Sequence, residues 1–143
     1  MHYNIRTINK NDYNKQYFKL LEQLTTVDKH KIKKLIFDNF INKLNNNHMI
    51  YVIEDLEKKI IIGTITLLKE QKIIHNMGIV AHIEDLVVHY NYRNTGIGRS
   101  LIKYVINKST NCYKIILDTS EELISFYNNF GFKKKNIQMA IYN

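Results

Sequence analysis

The stretch HIEDLVVHYNYRNTGIGRSL, from His82 to Leu101, predicts a strand, a turn and a helix in immediate succession. Ile83 to Val88 is apolar apart from two carboxylates. After the glycines, Ile97, Leu101 and Val105 recur every four residues, as on one face of a helix. Backbone amides at a helix N-terminus point outward without partners, and glycines let an anion approach them. The stretch therefore predicts a site for a cofactor that carries a pyrophosphate.

Two other kinds of phosphate loop fit this stretch less well. A dinucleotide-binding loop needs a third glycine, an early place in the chain and an acidic residue about 20 positions later. A Walker loop needs Gly-Lys-Ser or Gly-Lys-Thr, which Gly98-Arg99-Ser100 only imitates.

The composition predicts one globular domain over residues 1–143, with 45% hydrophobic and 24% charged residues. The single cysteine, Cys112, cannot form an internal disulfide, which fits a reducing compartment. No apolar run approaches the length of a membrane-spanning helix, and no apolar segment follows a basic stretch near the first residue. We therefore expect a cytoplasmic protein with no membrane span and no signal peptide.

The net charge of +8 allows two interpretations. A basic surface can bind nucleic acid. However, the lysines are spread along the chain apart from Lys133–Lys135, and no zinc finger, RNA-binding aromatic signature or basic zipper is present. We therefore expect no nucleic-acid partner, and a lysine-rich surface of which some cations serve phosphorylated ligands.

The hydrophobic pattern predicts the order β-α-α-β-β-β-α-β-α-β, an α/β (α+β) arrangement in which helices cover a mixed sheet. A first helix is predicted from Tyr13 to Leu24. A last strand is predicted from Phe132 to Tyr142. A second helix is predicted after Asp28, with an apolar stripe formed by Ile32, Leu35, Ile36, Phe40 and Leu44.

Ile83 to Leu117 forms a predicted strand–helix–strand unit, whose two strands should be parallel with a right-handed crossover. In such units ligands bind beyond the carboxyl ends of the strands. Val87–Gly98 follows one strand and Asp118 ends the other, so both are expected to flank one pocket.

Several segments resemble one known family in their order and spacing. Arg93-Asn94-Thr95-Gly96-Ile97-Gly98 resembles the R/Q-x-x-G-x-G/A acetyl-CoA loop of the GNAT superfamily of N-acetyltransferases. Four further segments resemble the glucosamine-6-phosphate N-acetyltransferases: KIIHNMG (Lys72–Gly78), HIEDLVV (His82–Val88), CYKIILD (Cys112–Asp118) and FYNNFGF (Phe126–Phe132). A fifth segment, LTTV (Leu24–Val27), is similar to the sugar-binding segment of that family. The resemblance covers essentially the whole chain. It implies a GNAT fold with a mixed, mostly antiparallel sheet, a parallel acetyl-CoA unit and helices on both faces.

The resemblance also implies the reaction. The family transfers acetyl from acetyl-CoA directly to the 2-amino group of D-glucosamine 6-phosphate, in a ternary complex without a metal and on the route to UDP-N-acetylglucosamine. Backbone groups of Leu86, Val87 and Val88 would hold the pantetheine arm like an added strand. The pyrophosphate would lie against the loop residues Arg93, Asn94, Thr95, Gly96, Ile97, Gly98 and Arg99.

Three side chains are expected to act on the reacting groups: Glu84, Asp118 and Tyr127. Tyr127 matches the tyrosine that stabilises or protonates the departing thiolate, and a phenol with a pKa near ~10 suits that task. Asp118 matches a contact to the sugar amine and is a candidate to accept its proton. Consecutive Glu84 and Asp85 should face opposite sides of their strand, so one would reach the sugar and the other would brace the loop.

The remaining substrate contacts are also implied by the resemblance. Lys72 and His75 match positions near the sugar phosphate, Thr25 matches a sugar contact, and Leu123 stands where the family has an asparagine. The family is a homodimer that exchanges C-terminal strands and shares residues between its sugar sites. Gln138–Ile141 is the candidate for such a strand.

Two alternatives remain open. One is a GNAT acetyltransferase that acts on another small amine or on a protein N-terminus, for which Lys72, His75 and Thr25 are not needed. The other is a non-catalytic acetyl-CoA-binding module or a basic nucleic-acid-binding protein. The presence of Glu84, Asp118 and Tyr127 argues against the latter.

Overall fold

Five strands follow one another in chain order across a single sheet in the computed structural model, which describes residues 2–143. Neighbouring strands are antiparallel except the last pair, β4 and β5, which are parallel. The strands are β1 (Tyr3–Thr7), β2 (His48–Asp55), β3 (Ile60–Gln71), β4 (Ile79–Val88) and β5 (Lys114–Leu117). The predicted mixed and mostly antiparallel sheet is confirmed.

Helices cover both faces of this sheet, as expected. They are α1 (Tyr17–Leu21), α2 (Lys34–Lys43), α3 (Ile74–Met77), α4 (Ile97–Asn107) and α5 (Ile124–Asn128), with 3-10 turns at Lys10–Asn14, Tyr90–Tyr92 and Glu121–Leu123. One buried apolar cluster contains α4 and α5 residues, and a second contains α1 and α2 residues. Among residues 2–143, no helix is long and apolar enough to cross a membrane.

Close packing at Gly63 fixes the position of α4 on the sheet. A Cβ atom at Gly63 would lie 3.1 Å from Leu101 Cδ1 and 3.2 Å from Ile97 Cγ2, which is tighter than ordinary carbon contacts. The absence of a side chain therefore lets the first two turns of α4 rest directly on β3. The start of α4, and the glycine loop before it, are held at the sheet.

The N-terminal helices differ from the sequence prediction. The helix expected from Tyr13 to Leu24 is divided into a 3-10 turn and α1, because Gln16 between them adopts a left-handed conformation with a φ of 60°. The predicted stripe of α2 is wrong at Leu35, Ile36 and Phe40, which are exposed, whereas Ile32 and Leu44 pack against the second apolar cluster. Phe37 is the side chain that α2 buries, against the rings of Tyr13 and Phe18, whereas Leu35 is 71% exposed.

The predicted last strand, Phe132 to Tyr142, is wrong for the single chain. Residues 132–143 have no regular secondary structure, and Ile137, Met139 and Ile141 are about nine-tenths exposed. A strand forms only where a neighbour supplies hydrogen bonds and an apolar surface. In this chain β5 is the edge strand next to the tail, and it pairs only with β4.

Candidate active site

The two parallel strands β4 and β5 part beyond Ile83. Their pairing runs from Val80 opposite Lys114 to Ile83 opposite Leu117, where β5 ends, while β4 continues to Val88. The last residues of β4 therefore have a partner strand only on the β3 side. Their other edge is open, and this opening begins at the carboxyl ends of both strands, where the sequence predicts the pocket.

A bulge in β4 contributes to the opening. Thr66 pairs with Glu84 and Thr64 pairs with Val87, so the single residue between the two threonines faces both Asp85 and Leu86. Asp85 adopts a left-handed conformation with a φ of 50°. A bulge of this kind breaks the alternation of side chains and bends the strand.

A cavity of about 450 Å³ occupies the gap between the strands. Its walls come from the segment after α1, the second half of β4, the end of β5 with the segment that follows it, and α5. The residues that line it are Leu24, Thr25, Ile83, Glu84, Asp85, Leu86, Leu117, Asp118, Thr119, Ser120, Leu123 and Tyr127. The structure thus brings together six of the residues that the sequence singles out for catalysis or binding.

Three carboxylates meet at this cavity. Burial raises the pKa of Glu84, and the negative charges of Asp118 and Asp85 raise it further. Glu84 and Asp85 both line the cavity, next to the bulge that interrupts the regular alternation of β4. Asp118 is exposed and accepts a hydrogen bond of 2.6 Å from the Gln138 side chain. The site therefore favours a cationic group such as an ammonium.

Tyr127 reaches the cavity from α5. Its ring is buried between Phe126 and Phe132, with ring centroids 5.0 and 6.1 Å away. Burial raises the pKa of its phenol, so the hydroxyl stays protonated at neutral pH. Within the part of the chain that the structure describes, this hydroxyl forms no hydrogen bond, which leaves it available to a ligand.

The glycine loop lies directly before α4, as predicted. Gly96 is left-handed with a φ of 91° and precedes the first helical residue, Ile97. A Cβ atom at Gly98 would lie 3.6 Å from Phe126 and Val88, an ordinary contact, so protein packing does not require glycine there. Arg93 donates a hydrogen bond of 3.1 Å to the Val88 carbonyl. The unpaired first amides of α4 form an anion-binding helix start.

Lys72 and His75 do not line the cavity. Lys72 forms an ion pair with Glu70, and the His75 ring stacks on Tyr113 with centroids 4.4 Å apart. Both lie just before β4 begins, at the opposite end of the strand from the cavity. Within one chain, therefore, the residues that match the phosphate contacts are separated from Glu84 and Asp118.

Sequence reasoning missed several residues at the site. Thr119 and Ser120 line the cavity, and their place directly after Asp118 at a strand end was a usable signal. Gln23 accepts a hydrogen bond of 2.8 Å from the Tyr90 amide, which ties the end of α1 to the turn after β4. No sequence pattern marks that long-range contact. Among residues 2–143 no cluster of His, Cys, Asp and Glu is arranged to hold a metal ion.

Comparison with known proteins gives the family. The model of the acetyltransferase (GNAT) domain matches residues 46–134, which include β4, the glycine loop and α5. The chain belongs to the GNAT acetyltransferase family. GNAT acetyltransferases use acetyl-CoA. The open edge of β4 is suited to the amide groups of the pantetheine arm of such a donor, and the start of α4 is suited to its pyrophosphate.

Relatives and solved structures cover nearly the whole of this GNAT chain. Glucosamine 6-phosphate N-acetyltransferase 1 of Dictyostelium discoideum is 37% identical over 139 residues, or 96% of this chain and 88% of that protein. Glucosamine 6-phosphate N-acetyltransferase of Arabidopsis thaliana is 33% identical over 145 residues, or 98% and 96% of the two chains. A crystal structure of glucosamine-6-phosphate N-acetyltransferase from Arabidopsis thaliana matches with a TM-score of 0.94 over 99% of both chains, at 31% identity.

Proposed function

We propose that this GNAT chain transfers the acetyl group of acetyl-CoA to the 2-amino group of glucosamine 6-phosphate, giving N-acetylglucosamine 6-phosphate and CoA. The observation that carries the proposal is the single cavity that joins Glu84 and Asp118 to the Tyr127 hydroxyl. A carboxylate attracts the amine of the acceptor, and an uncharged phenol can donate a hydrogen bond to the departing sulfur of CoA. The 37% identity to the Dictyostelium enzyme of that name supports the choice of acceptor.

The backbone of β4 is suited to the donor. Beyond Ile83 the strand lacks a neighbour on one side, so the amide groups of a pantetheine arm can add to it as a further strand would. Leu86, Val87 and Val88 would provide these contacts. The pyrophosphate would then reach the amides between Arg93 and Gly98, with Arg99 beside the start of α4.

The carboxylates are suited to the acceptor. They attract the protonated amine, which must lose a proton before it can attack the thioester carbonyl. Asp118 and Glu84 are the candidates to accept that proton, and the raised pKa of Glu84 makes its carboxylate a stronger base than an ordinary glutamate. Thr25 and Asp85, on the same cavity, would bind sugar hydroxyls.

Tyr127 is suited to the leaving group. As the amine nitrogen bonds to the carbonyl carbon, the carbon–sulfur bond breaks and the sulfur gains negative charge. The Tyr127 hydroxyl, protonated and free of other hydrogen bonds within the described chain, can donate to that sulfur. The transfer then needs no covalent intermediate on the protein.

A homodimer with shared sites would complete the phosphate contacts. The open edge of β5 and the exposed apolar residues Ile137, Met139 and Ile141 suit strand pairing with a second copy. Such a copy would bring its own Lys72 and His75 toward the cavity. We also propose small molecules rather than nucleic acid as ligands, and a reducing cytoplasm, which suits the free thiol of Cys112.

One observation favours a second acceptor. Among residues 2–143 of one chain, no lysine or arginine lines the cavity, so an unphosphorylated amine or a protein N-terminus fits a monomer better than a phosphosugar does.

The acceptor assay tests the proposal. CoA release is measured with glucosamine 6-phosphate, glucosamine and a peptide with a free N-terminus as acceptors. We expect kcat/KM to be at least about a hundredfold higher for the phosphosugar. An acceptor without the phosphate leaves the polar groups that should bind it without partners, and such a site strongly disfavours that acceptor. Turnover with the peptide alone would contradict the proposal in favour of the second acceptor.

The Tyr127→Phe variant tests the leaving-group role. The ring and its packing remain while the donor is lost, so kcat should fall about a hundredfold with little change in CoA affinity. Steady-state kinetics and CoA titration measure the two quantities. Tyr104→Phe serves as the control and should keep full activity. It removes the hydroxyl of a tyrosine whose ring centroid lies 4.9 Å from that of Tyr51. An unchanged kcat in Tyr127→Phe removes this residue from the mechanism.

Removal of residues 136–143 tests the shared site. The tail buries almost none of its apolar side chains within the chain, so the shortened protein should fold, run as a monomer in sedimentation and lose turnover of glucosamine 6-phosphate. Leu35→Ser, which changes an exposed leucine on α2, should remain dimeric and active. A monomeric full-length chain with full activity is the result that excludes shared sites.

A further inference from the structure

Tyr92 stands between the end of β4 and the glycine loop. It ends the 3-10 turn Tyr90–Tyr92, four residues before the left-handed Gly96. Its side chain is only 4% exposed and belongs to the same apolar cluster as Ile97 and Leu101 of α4. A tyrosine buried this deeply needs partners for its hydroxyl.

The hydroxyl of Tyr92 is bound to the hairpin that joins β2 to β3. It donates a hydrogen bond of 2.8 Å to Asp55 Oδ2 and accepts one of 2.8 Å from Lys58 Nζ. The second oxygen of Asp55 accepts hydrogen bonds of 3.0 Å from the backbone amides of Glu57 and Lys58, which stabilises the hairpin turn. Asp55 is 2% exposed, so solvent does not compete for its carboxylate.

The backbone of Tyr92 is bound to the glycine loop. Its carbonyl accepts a hydrogen bond of 2.5 Å from Thr95 Oγ1, and its amide donates one of 2.8 Å to the His89 carbonyl. Tyr92 therefore connects two segments: its hydroxyl is hydrogen-bonded to the β2–β3 hairpin, and its carbonyl is hydrogen-bonded to Thr95 in the glycine loop. The loop is also held by the Arg93 side chain, which contacts the Val88 carbonyl, and by the bonds of Ser100 to the Gly96 carbonyl.

We propose that the Tyr92–Asp55 hydrogen bond orients the loop that receives the pyrophosphate, so that Tyr92 is a positioning residue for the acetyl donor. The inference rests on the proposed use of acetyl-CoA. Backbone amides bind an anion well only when several point to one place, and a support that holds them there increases affinity. Tyr92 lines no part of the reaction cavity, so its hydroxyl should affect donor binding and not the chemical step.

Tyr92→Phe tests the proposal, because it removes the hydroxyl and keeps the buried ring. CoA affinity is measured by calorimetry, and kinetics are measured with acetyl-CoA and with S-acetylpantetheine, which lacks the pyrophosphate. We expect the CoA dissociation constant and the KM for acetyl-CoA to rise about fivefold, the usual size of one lost hydrogen bond, with kcat unchanged. With S-acetylpantetheine the variant and the wild-type protein should have equal kcat/KM.

A second variant and a matched control separate positioning from loss of stability. Asp55→Asn weakens the same bond from the other side and should give the same donor-dependent pattern. Combined with Tyr92→Phe it should add little. Tyr13→Phe also removes one tyrosine hydrogen bond, the 3.0 Å contact to the Ile32 carbonyl, and should leave the KM for acetyl-CoA unchanged.

The outcomes are distinct. An equal loss with both donors, or a lower melting temperature with unchanged CoA affinity, overturns the positioning role and leaves the proposed function intact. Failure of the wild-type protein to bind CoA overturns the use of acetyl-CoA and the positioning role together.

Discussion

The end of strand pairing between β4 and β5 at Ile83 and Leu117 is the constraint on which the site depends. Because β5 stops there while β4 continues, one edge of β4 is left without a partner in the middle of the protein. At the bulge, the consecutive acidic residues Glu84 and Asp85 both line this gap. The cavity is thus a consequence of backbone geometry, and its side chains supply charge to a space that the sheet has already opened.

Opposed requirements at the two ends of the cavity explain its residue types. In the proposed function the acceptor end needs negative charge to attract an amine and a base to remove its proton. Burial, followed by the charges of Asp118 and Asp85, raises the pKa of Glu84 toward that use. The donor end needs a group that stays protonated, which burial provides for Tyr127. Beyond it, the helix start at Ile97 would supply the anion site of the proposed function, and the hydrogen bond from Tyr92 to Asp55 connects the β2–β3 hairpin to the turn before that loop.

The sequence predicted the features that depend on local pattern. The glycine loop, α4 and the parallel pairing around it follow from short-range periodicity, and the placement of Asp118 follows from the rule on strand ends. Features set by long-range contacts were missed. No short pattern indicates the bulge at Asp85. Phe37 rather than Leu35 is buried because of the aromatic cluster it meets, and no pattern joins Tyr92 to Asp55. The sequence pattern predicts a strand from Phe132 to Tyr142, yet a single chain gives this tail no neighbouring strand.

Amide hydrogen exchange with and without CoA tests the central claim, which is that the open edge of β4 and the start of α4 form the donor site. We expect CoA to slow exchange in Leu86–Val88 and in the loop from Arg93 to Gly98, and to leave β1 and β2 unchanged. Binding of CoA with no added protection in either segment would contradict the account.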